Sequence, residues 1–88
     1  MSIYTIVFKP SAQKQMAQLN KTTQQRVAKK LQLYLSQDEP LTYAVKMADS
    51  GLDGQYRFRI GDYRIIFDVA PNKIIILKVQ HRRYIYKR

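Results

Sequence analysis

Hydrophobic and polar residues alternate along two stretches of the C-terminal half, residues 55–60 and 63–69. An alternation with a period of two is typical of β-strands that bury one face. A third stretch, residues 73–81, contains four consecutive apolar residues at 74–77, which is typical of a central strand. Gly61-Asp62 and Pro71-Asn72 separate the three stretches and favour tight turns. The pattern predicts three consecutive strands joined by hairpin turns.

The N-terminal half combines one strand pattern with a short helical pattern. Residues 3–9 are rich in β-branched and aromatic side chains and alternate, which predicts a strand ended by Pro10 and Ser11. Beyond them, Ala12, Met16 and Leu19 recur at helical spacing. They predict a short helix that ends near residue 20.

A longer apolar stripe follows and predicts a second helix. Its members are spaced i, i+4, i+7 and i+8: Val27, Leu31, Tyr34 and Leu35. Thr22, with Gln25 three residues later, fits a capping box at the start of this helix. The helix is expected to end at about residue 36.

Residues 38–53 carry turn-forming residues at both ends and are expected to be mostly loop, with a short strand as an open alternative. The complete order is then β-α-α-β-β-β. It predicts an α+β fold in which two N-terminal helices pack on one face of a twisted, largely antiparallel sheet. With 88 residues, the chain is expected to form one domain over residues 1–88.

The charge of the chain is strongly positive. Sixteen Lys and Arg stand against six Asp and Glu, for a net charge of +10, and residues 54–88 hold nine basic against two acidic residues, or +7. A surface of this kind favours a polyanionic partner. Nucleic acid is the leading candidate, because each phosphate that a cation neutralises releases counterions.

Several chemistries are disfavoured by what the sequence lacks. Without cysteine, thiolate nucleophiles, disulfides and cysteine-ligated metals are excluded, and the single histidine cannot supply the usual catalytic zinc ligands. No cofactor or metal is therefore expected. The sequence also has no apolar run of 18 residues and no signal-peptide pattern, so a cytoplasmic protein that does not engage membranes is expected.

The alternation that predicts the strands also predicts where their cations point. Arg57, Arg59 and Arg64 fall on the face opposite the apolar residues, and Lys78 and Arg82 belong to the corresponding set on the last strand. We expect a concave cationic sheet surface. The alternative is that these side chains only keep the sheet soluble, but like charges on neighbouring strands repel one another and favour a bound polyanion.

Two segments, GDYRIIFDV and VQHRRYIY, together with the two-helix start, resemble the RelE/ParE superfamily of toxins from toxin–antitoxin systems. The resemblance spans nearly the whole chain. It implies a ribosome-dependent mRNA endonuclease of the RelE type, which cuts messages in the ribosomal A site and is silenced by an antitoxin. By motif match it assigns the catalytic set to Arg57, Arg59, Arg64, Arg82 and Tyr86.

The first two of these arginines stand where RelE has lysines. They keep the charge but cannot act as bases, because guanidinium does not deprotonate in proteins. In metal-free RNA cleavage, the strand arginines would stabilise charge on the phosphoryl group, Tyr86 would accept the 2′-hydroxyl proton, and Arg82 would neutralise or protonate the leaving oxygen. His81 is the competing acid or base.

Other cations of the last strand and tail are candidates for contacts with RNA: Lys78, Arg83 and Lys87, together with His81. Alternation places His81 on the helix-covered face, which favours a structural role for it. We also expect an acidic antitoxin that covers the basic face or the helical groove.

Two other functions remain open. The ParE branch shares the fold, inhibits gyrase and lacks the arginine and tyrosine set. A plain nucleic-acid-binding module would also explain the charge, and it predicts salt-dependent binding without toxicity.

Overall fold

A computed structural model describes residues 4–37, 39–46 and 56–81 of the chain. Two helices and five strands occupy these ranges. In chain order they are β1 (Thr5–Phe8), α1 (Pro10–Ala17), α2 (Lys21–Leu35), a 3₁₀ turn (Pro40–Tyr43), β2 (Val45–Lys46), β3 (Tyr56–Ile60), β4 (Tyr63–Ala70) and β5 (Lys73–His81).

The strands form one sheet in the order β1-β5-β4-β3-β2. Three neighbouring pairs are antiparallel, and only β1 and β5 run parallel, with Thr5 beside Lys73 and Phe8 beside Ile76. The predicted α+β fold with a largely antiparallel sheet is confirmed. Because β5 lies between β1 and β4, the prediction that the run at residues 74–77 belongs to a central strand is confirmed as well.

Both helices pack on one face of this sheet. Ala12 of α1 and Val27, Leu31 and Leu35 of α2 are buried in one cluster with core-facing residues of the last three strands: Phe58, Ile60, Ile65, Phe67, Ile74, Ile76 and Val79. Tyr34 stacks at a slant on Phe58, with ring centroids 5.0 Å apart. The helices therefore cover one face of the sheet and do not cover the face that bears the arginines. No helix among the described residues is long and apolar enough to cross a membrane.

The helix starts differ from the prediction in two details. A helix tolerates proline in its first turn, because a backbone N–H at that position would have no partner within the helix. Helix α1 accordingly begins at Pro10. The capping box at Thr22 is wrong: Thr22 lies inside α2, and the side chain of Asn20 accepts the hydrogen bond from the Thr23 N–H at 2.8 Å. Asn20 is the better cap because it lies just outside the helix, where its side-chain oxygen can accept from the Thr23 N–H, which has no partner within the helix.

The β4–β5 pairing contains an irregularity that determines which side chains of β5 point to each face of the sheet. Ile66 pairs with Lys78 but Phe67 pairs with Ile76, so Leu77 is an extra residue on β5. A bulge of this kind shifts the alternation by one residue. Ile76 and Val79 both point into the core for this reason, while Lys78 lies on the opposite face.

Helix α1 lies along the edge of β5 beyond the point where β1 ends. The last described contact of the parallel pair is the hydrogen bond from the Lys9 N–H to the Ile76 carbonyl, at 2.9 Å. The Ser11 hydroxyl then donates to the Leu77 carbonyl at 3.4 Å, and the Gln15 Oε1 accepts from the Val79 N–H at 2.7 Å. Side chains of α1 thus bond backbone groups that would otherwise be an open sheet edge.

The segment expected to be mostly loop contains the 3₁₀ turn and a strand of two residues. Val45 and Lys46 pair with Arg57 and Tyr56, which realises the short strand that the sequence left open. Residues 47–53 of this segment lie outside the described part of the chain.

Candidate nucleic-acid interface

The three strand arginines lie on the sheet face opposite the helices. Arg59 pairs directly with Arg64, and Arg64 pairs on its other side with Gln80. Arg57 lies in the next row, where Ile66 separates it from Lys78. The core residues Phe58 and Ile65 alternate with them, so the four cations share one face, as the alternation predicts.

The cations of this face differ in their exposure. Arg59 is exposed, whereas Arg57 and Lys78 are half-buried. Arg64 is only 2% exposed, and Ile66 beside it is 5% exposed. Arg64 therefore lies on the predicted face, but it is a buried side chain in the middle of that face and adds no exposed cation to the expected surface.

Arg59 and Arg64 also differ in their strand neighbours. Arg64 lies on β4, which has strands on both sides, and its direct neighbours are long side chains. Arg59 lies near the end of β3, beyond the two residues that pair with β2, so only one strand flanks it. Among the described residues, Arg59 therefore has an open strand edge beside it, and Arg64 does not.

The charge of the described face is uneven along the strands. Arg57, Arg59, Arg64 and Lys78 gather in two adjacent rows near the β3–β4 turn. Asp68 lies on the same face of β4 but four residues from Arg64, about 13 Å along a strand. Asp62 in the turn offsets part of this charge, but the four cations leave this end of the sheet net positive, which suits a phosphodiester backbone.

His81 lies on the other face, as its alternation predicts. It pairs with Tyr63, and the two rings meet edge to face with centroids 5.2 Å apart and planes at 83°. The structure thus separates His81 from the arginines by the thickness of the sheet. The role of His81 stays a prediction.

The remaining predicted residues lie outside the described part of the chain: Arg82, Arg83, Tyr86 and Lys87. Their assignments, and the catalytic roles of the strand arginines, stay predictions. Within residues 4–37, 39–46 and 56–81, no group of three or more His, Asp or Glu side chains is placed to hold a metal ion.

The sequence pattern did not identify Gln15 as a residue of interest. Its side-chain oxygen accepts a hydrogen bond from the Val79 N–H at 2.7 Å, and the residue lines a cavity between α1 and β5. A glutamine on a helix ordinarily indicates a solvated position. Strand β1 ends before it reaches Val79 of β5, so the Val79 N–H needs another acceptor, and Gln15 supplies it. The sequence does not reveal where the pairing with β1 ends, so it could not indicate this role.

Comparisons with known proteins agree with this architecture. The family model described as ParE toxin of type II toxin-antitoxin system, parDE, matches residues 6–86. No curated protein matches the chain significantly. The fold and the sequence match together define a toxin of a type II toxin–antitoxin system, and the chain belongs to the ParE toxin family of the RelE/ParE superfamily.

Two solved structures are similar over nearly their whole length. One is the toxin–antitoxin complex RelBE2 from Mycobacterium tuberculosis, at 25% identity and a TM-score of 0.70, with 90% of this chain and 98% of that chain covered. The other is the archaeal RelE–RelB complex from Pyrococcus horikoshii OT3, at 27% identity and a TM-score of 0.71, with 91% and 96% covered. These likenesses support a toxin of the RelE type.

Proposed function

We propose that this toxin is a ribosome-dependent mRNA endoribonuclease that cuts messages in the A site and so inhibits translation. The observation that carries the proposal is the register of β3 and β4, in which Arg59 and Arg64 are direct neighbours and Arg57 follows on the same face. Like charges at direct cross-strand positions oppose each other, and a phosphodiester bound at the exposed Arg59 would offset that cost.

The proposed chemistry needs no metal. Tyr86 accepts the proton of the 2′-hydroxyl, the 2′-oxygen forms a bond to phosphorus, and the bond from phosphorus to the 5′-oxygen breaks. The leaving 5′-oxygen takes a proton from water while the Arg82 guanidinium stabilises its negative charge, which leaves a 2′,3′-cyclic phosphate and a 5′-hydroxyl. Nearby guanidinium groups favour the phenolate form of tyrosine, whose ordinary pKa is about 10.

The strand arginines supply the electrostatic part of this reaction. A well-placed donor toward the charge that develops on the phosphoryl group contributes about 3 kcal/mol to the stability of the transition state. Arg59 is exposed and available for that contact, and Arg57 and Lys78 lie in the adjacent row of the same face. Such a site relies on an external scaffold to orient the RNA, which is the part we assign to the ribosome. A cytoplasmic location follows from that substrate.

We further propose an acidic antitoxin as the partner. The two similar structures are both complexes of a toxin with its antitoxin. A chain with a net charge of +10 gains most from a partner of opposite charge. Copurification with the product of a neighbouring gene tests this, and a toxin that is tolerated without any partner would contradict it.

Inhibition of gyrase is the second candidate function. The observation in its favour is that the matching family model describes ParE toxins. The two candidates differ in what they damage: the first cuts messages, and the second leaves RNA intact and causes DNA damage.

Primer extension on cellular messages after induction of the toxin separates the two. The proposal expects new 5′ ends within reading frames, and expects Arg82→Ala and Tyr86→Phe to abolish both these ends and growth arrest while the fold survives. Full toxicity in both variants would reject the catalytic set. DNA damage with uncut messages would favour the gyrase function.

A further inference from the structure

A cavity of about 380 Å³ lies between the C-terminal end of α1 and the end of β5. This volume is at the lower end of the range for sites that bind small molecules. The lining residues are Gln15, Gln18, Leu19, Tyr63, Val79, Gln80 and His81. None of these described residues is Lys, Arg, Asp or Glu, so the cavity differs in kind from the cationic face.

Contacts with the sheet fix part of this lining. The Gln15 Oε1 accepts the Val79 N–H at 2.7 Å, which orients the amide and leaves its Nε2 amino group as a donor. The rings of Tyr63 and His81 hold each other edge to face at 5.2 Å. The cavity therefore offers two aromatic rings and one oriented amide, that of Gln15, with Leu19 as an apolar wall.

This combination matches the chemistry of a nucleobase. Unstacked RNA bases are recognised by stacking on aromatic side chains, including Tyr and His, and by hydrogen bonds to their edges. Amide side chains carry both donors and acceptors and can bond such edges. Because its described lining residues include no Lys or Arg, this part of the cavity is poorly suited to a phosphate. We propose that it binds one base of the RNA substrate and thereby contributes to sequence preference.

The position of the cavity relative to the arginines supports the same ligand. Gln80 lines the cavity and is the direct partner of Arg64 in the β4–β5 pair. Neighbouring strands are about 4.8 Å apart, so the backbone of Gln80 lies about one strand spacing from that of Arg64. Tyr63, Val79 and His81 line the cavity from the helix-covered face. A backbone lying on the cationic face can therefore present an adjacent base over the edge of β5. This inference rests on the proposed cleavage of RNA.

The substitution Gln18→Ala removes one amide from the lining without touching the Gln15 contact. Gln13→Ala is the matched control, because Gln13 is an exposed glutamine of α1 outside the lining. Loss of one hydrogen bond to a base is expected to weaken the nucleotide preference at one position of the cleavage site about 3- to 10-fold. Gln13→Ala is expected to keep the wild-type preference.

Sequencing of message ends after induction of each variant measures that preference. Wild-type cleavage with an unchanged preference in Gln18→Ala would overturn the base site and leave the proposed nuclease intact. An uncut message pool with the wild-type toxin would instead overturn the nuclease itself, so the two failures are distinguishable.

A titration of the purified full chain with the four uncharged ribonucleosides, followed by NMR, tests binding without cleavage. We expect shifts of the side-chain signals of Gln15, Gln18 and His81 for at least one nucleoside, reduced in Gln18→Ala. Inorganic phosphate, as the control ligand, is expected to shift Arg57 and Arg59 instead. Absence of cavity shifts with all four nucleosides would refute the base site.

Discussion

Arg59 and Arg64 are direct cross-strand partners, yet Arg59 is exposed and Arg64 is 2% exposed. Two identical side chains thus occupy different environments within one row of the sheet. Arg59 can meet a ligand without rearrangement, whereas Arg64 also contributes buried packing. Substitutions at the two positions should therefore have different consequences.

Replacing Arg59 should affect activity and leave stability nearly unchanged. Arg59→Ala is expected to lower the rate of message cleavage about 10²-fold, because a donor toward the phosphoryl charge is lost. The free energy of unfolding should change by less than about 0.5 kcal/mol, as is usual for exposed positions. The control is Arg26→Ala, which removes the same charge from the exposed side of α2. Equal loss of cleavage in both variants would indicate that only net charge matters.

Replacing Arg64 should reduce stability as well as activity. Arg64→Ala removes a long, buried side chain and is expected to lower the free energy of unfolding by about 2–4 kcal/mol. Urea denaturation followed by circular dichroism measures the difference. A stability equal to that of Arg59→Ala would show that Arg64 is not packed as the structure describes.

The contact of α1 with the edge of β5 makes a separate prediction. Gln15→Ala leaves the Val79 N–H without its acceptor, which is expected to cost about 1–3 kcal/mol of stability and to accelerate hydrogen exchange at that amide. Gln13→Ala on the same helix should change neither quantity. Unchanged protection of the Val79 amide in Gln15→Ala would contradict the contact.

The start of α2 can be tested with two neighbouring substitutions. Asn20→Ala removes the side chain that accepts from the Thr23 N–H and is expected to destabilise the protein by about 1 kcal/mol. Thr22→Ala should cost less, because Thr22 lies within the helix and does not cap it. Thermal unfolding of the two variants measures both losses of stability. A larger loss for Thr22→Ala than for Asn20→Ala would support the capping box that the sequence suggested.

The sequence predicts much of the sheet because alternation is a local property. The faces of Arg57, Arg59 and His81 follow from counting along a strand, and the structure agrees in each case. The apolar run at residues 74–77 likewise predicts a central strand without any knowledge of its neighbours. Such inferences need only the period of the strand and the identity of its residues.

Features that depend on strand order could not be predicted in the same way. The position of Arg64 between two strands follows from the sheet order, and the role of Gln15 follows from the early end of β1. The extra residue at Leu77 is also a property of the β4–β5 pair and not of either strand alone. Each of these features is decided by non-local pairing.

Cleavage of a defined message by purified components tests the central claim most directly. The wild-type toxin, Arg59→Ala and Arg26→Ala are each incubated with mRNA in the presence and absence of ribosomes stalled at a known codon. We predict cuts at the A-site codon by the wild-type toxin and Arg26→Ala, only when ribosomes are present, and about 10²-fold slower cutting by Arg59→Ala. A message that stays intact on ribosomes with the wild-type toxin, while the same protein blocks supercoiling by gyrase, would contradict the account.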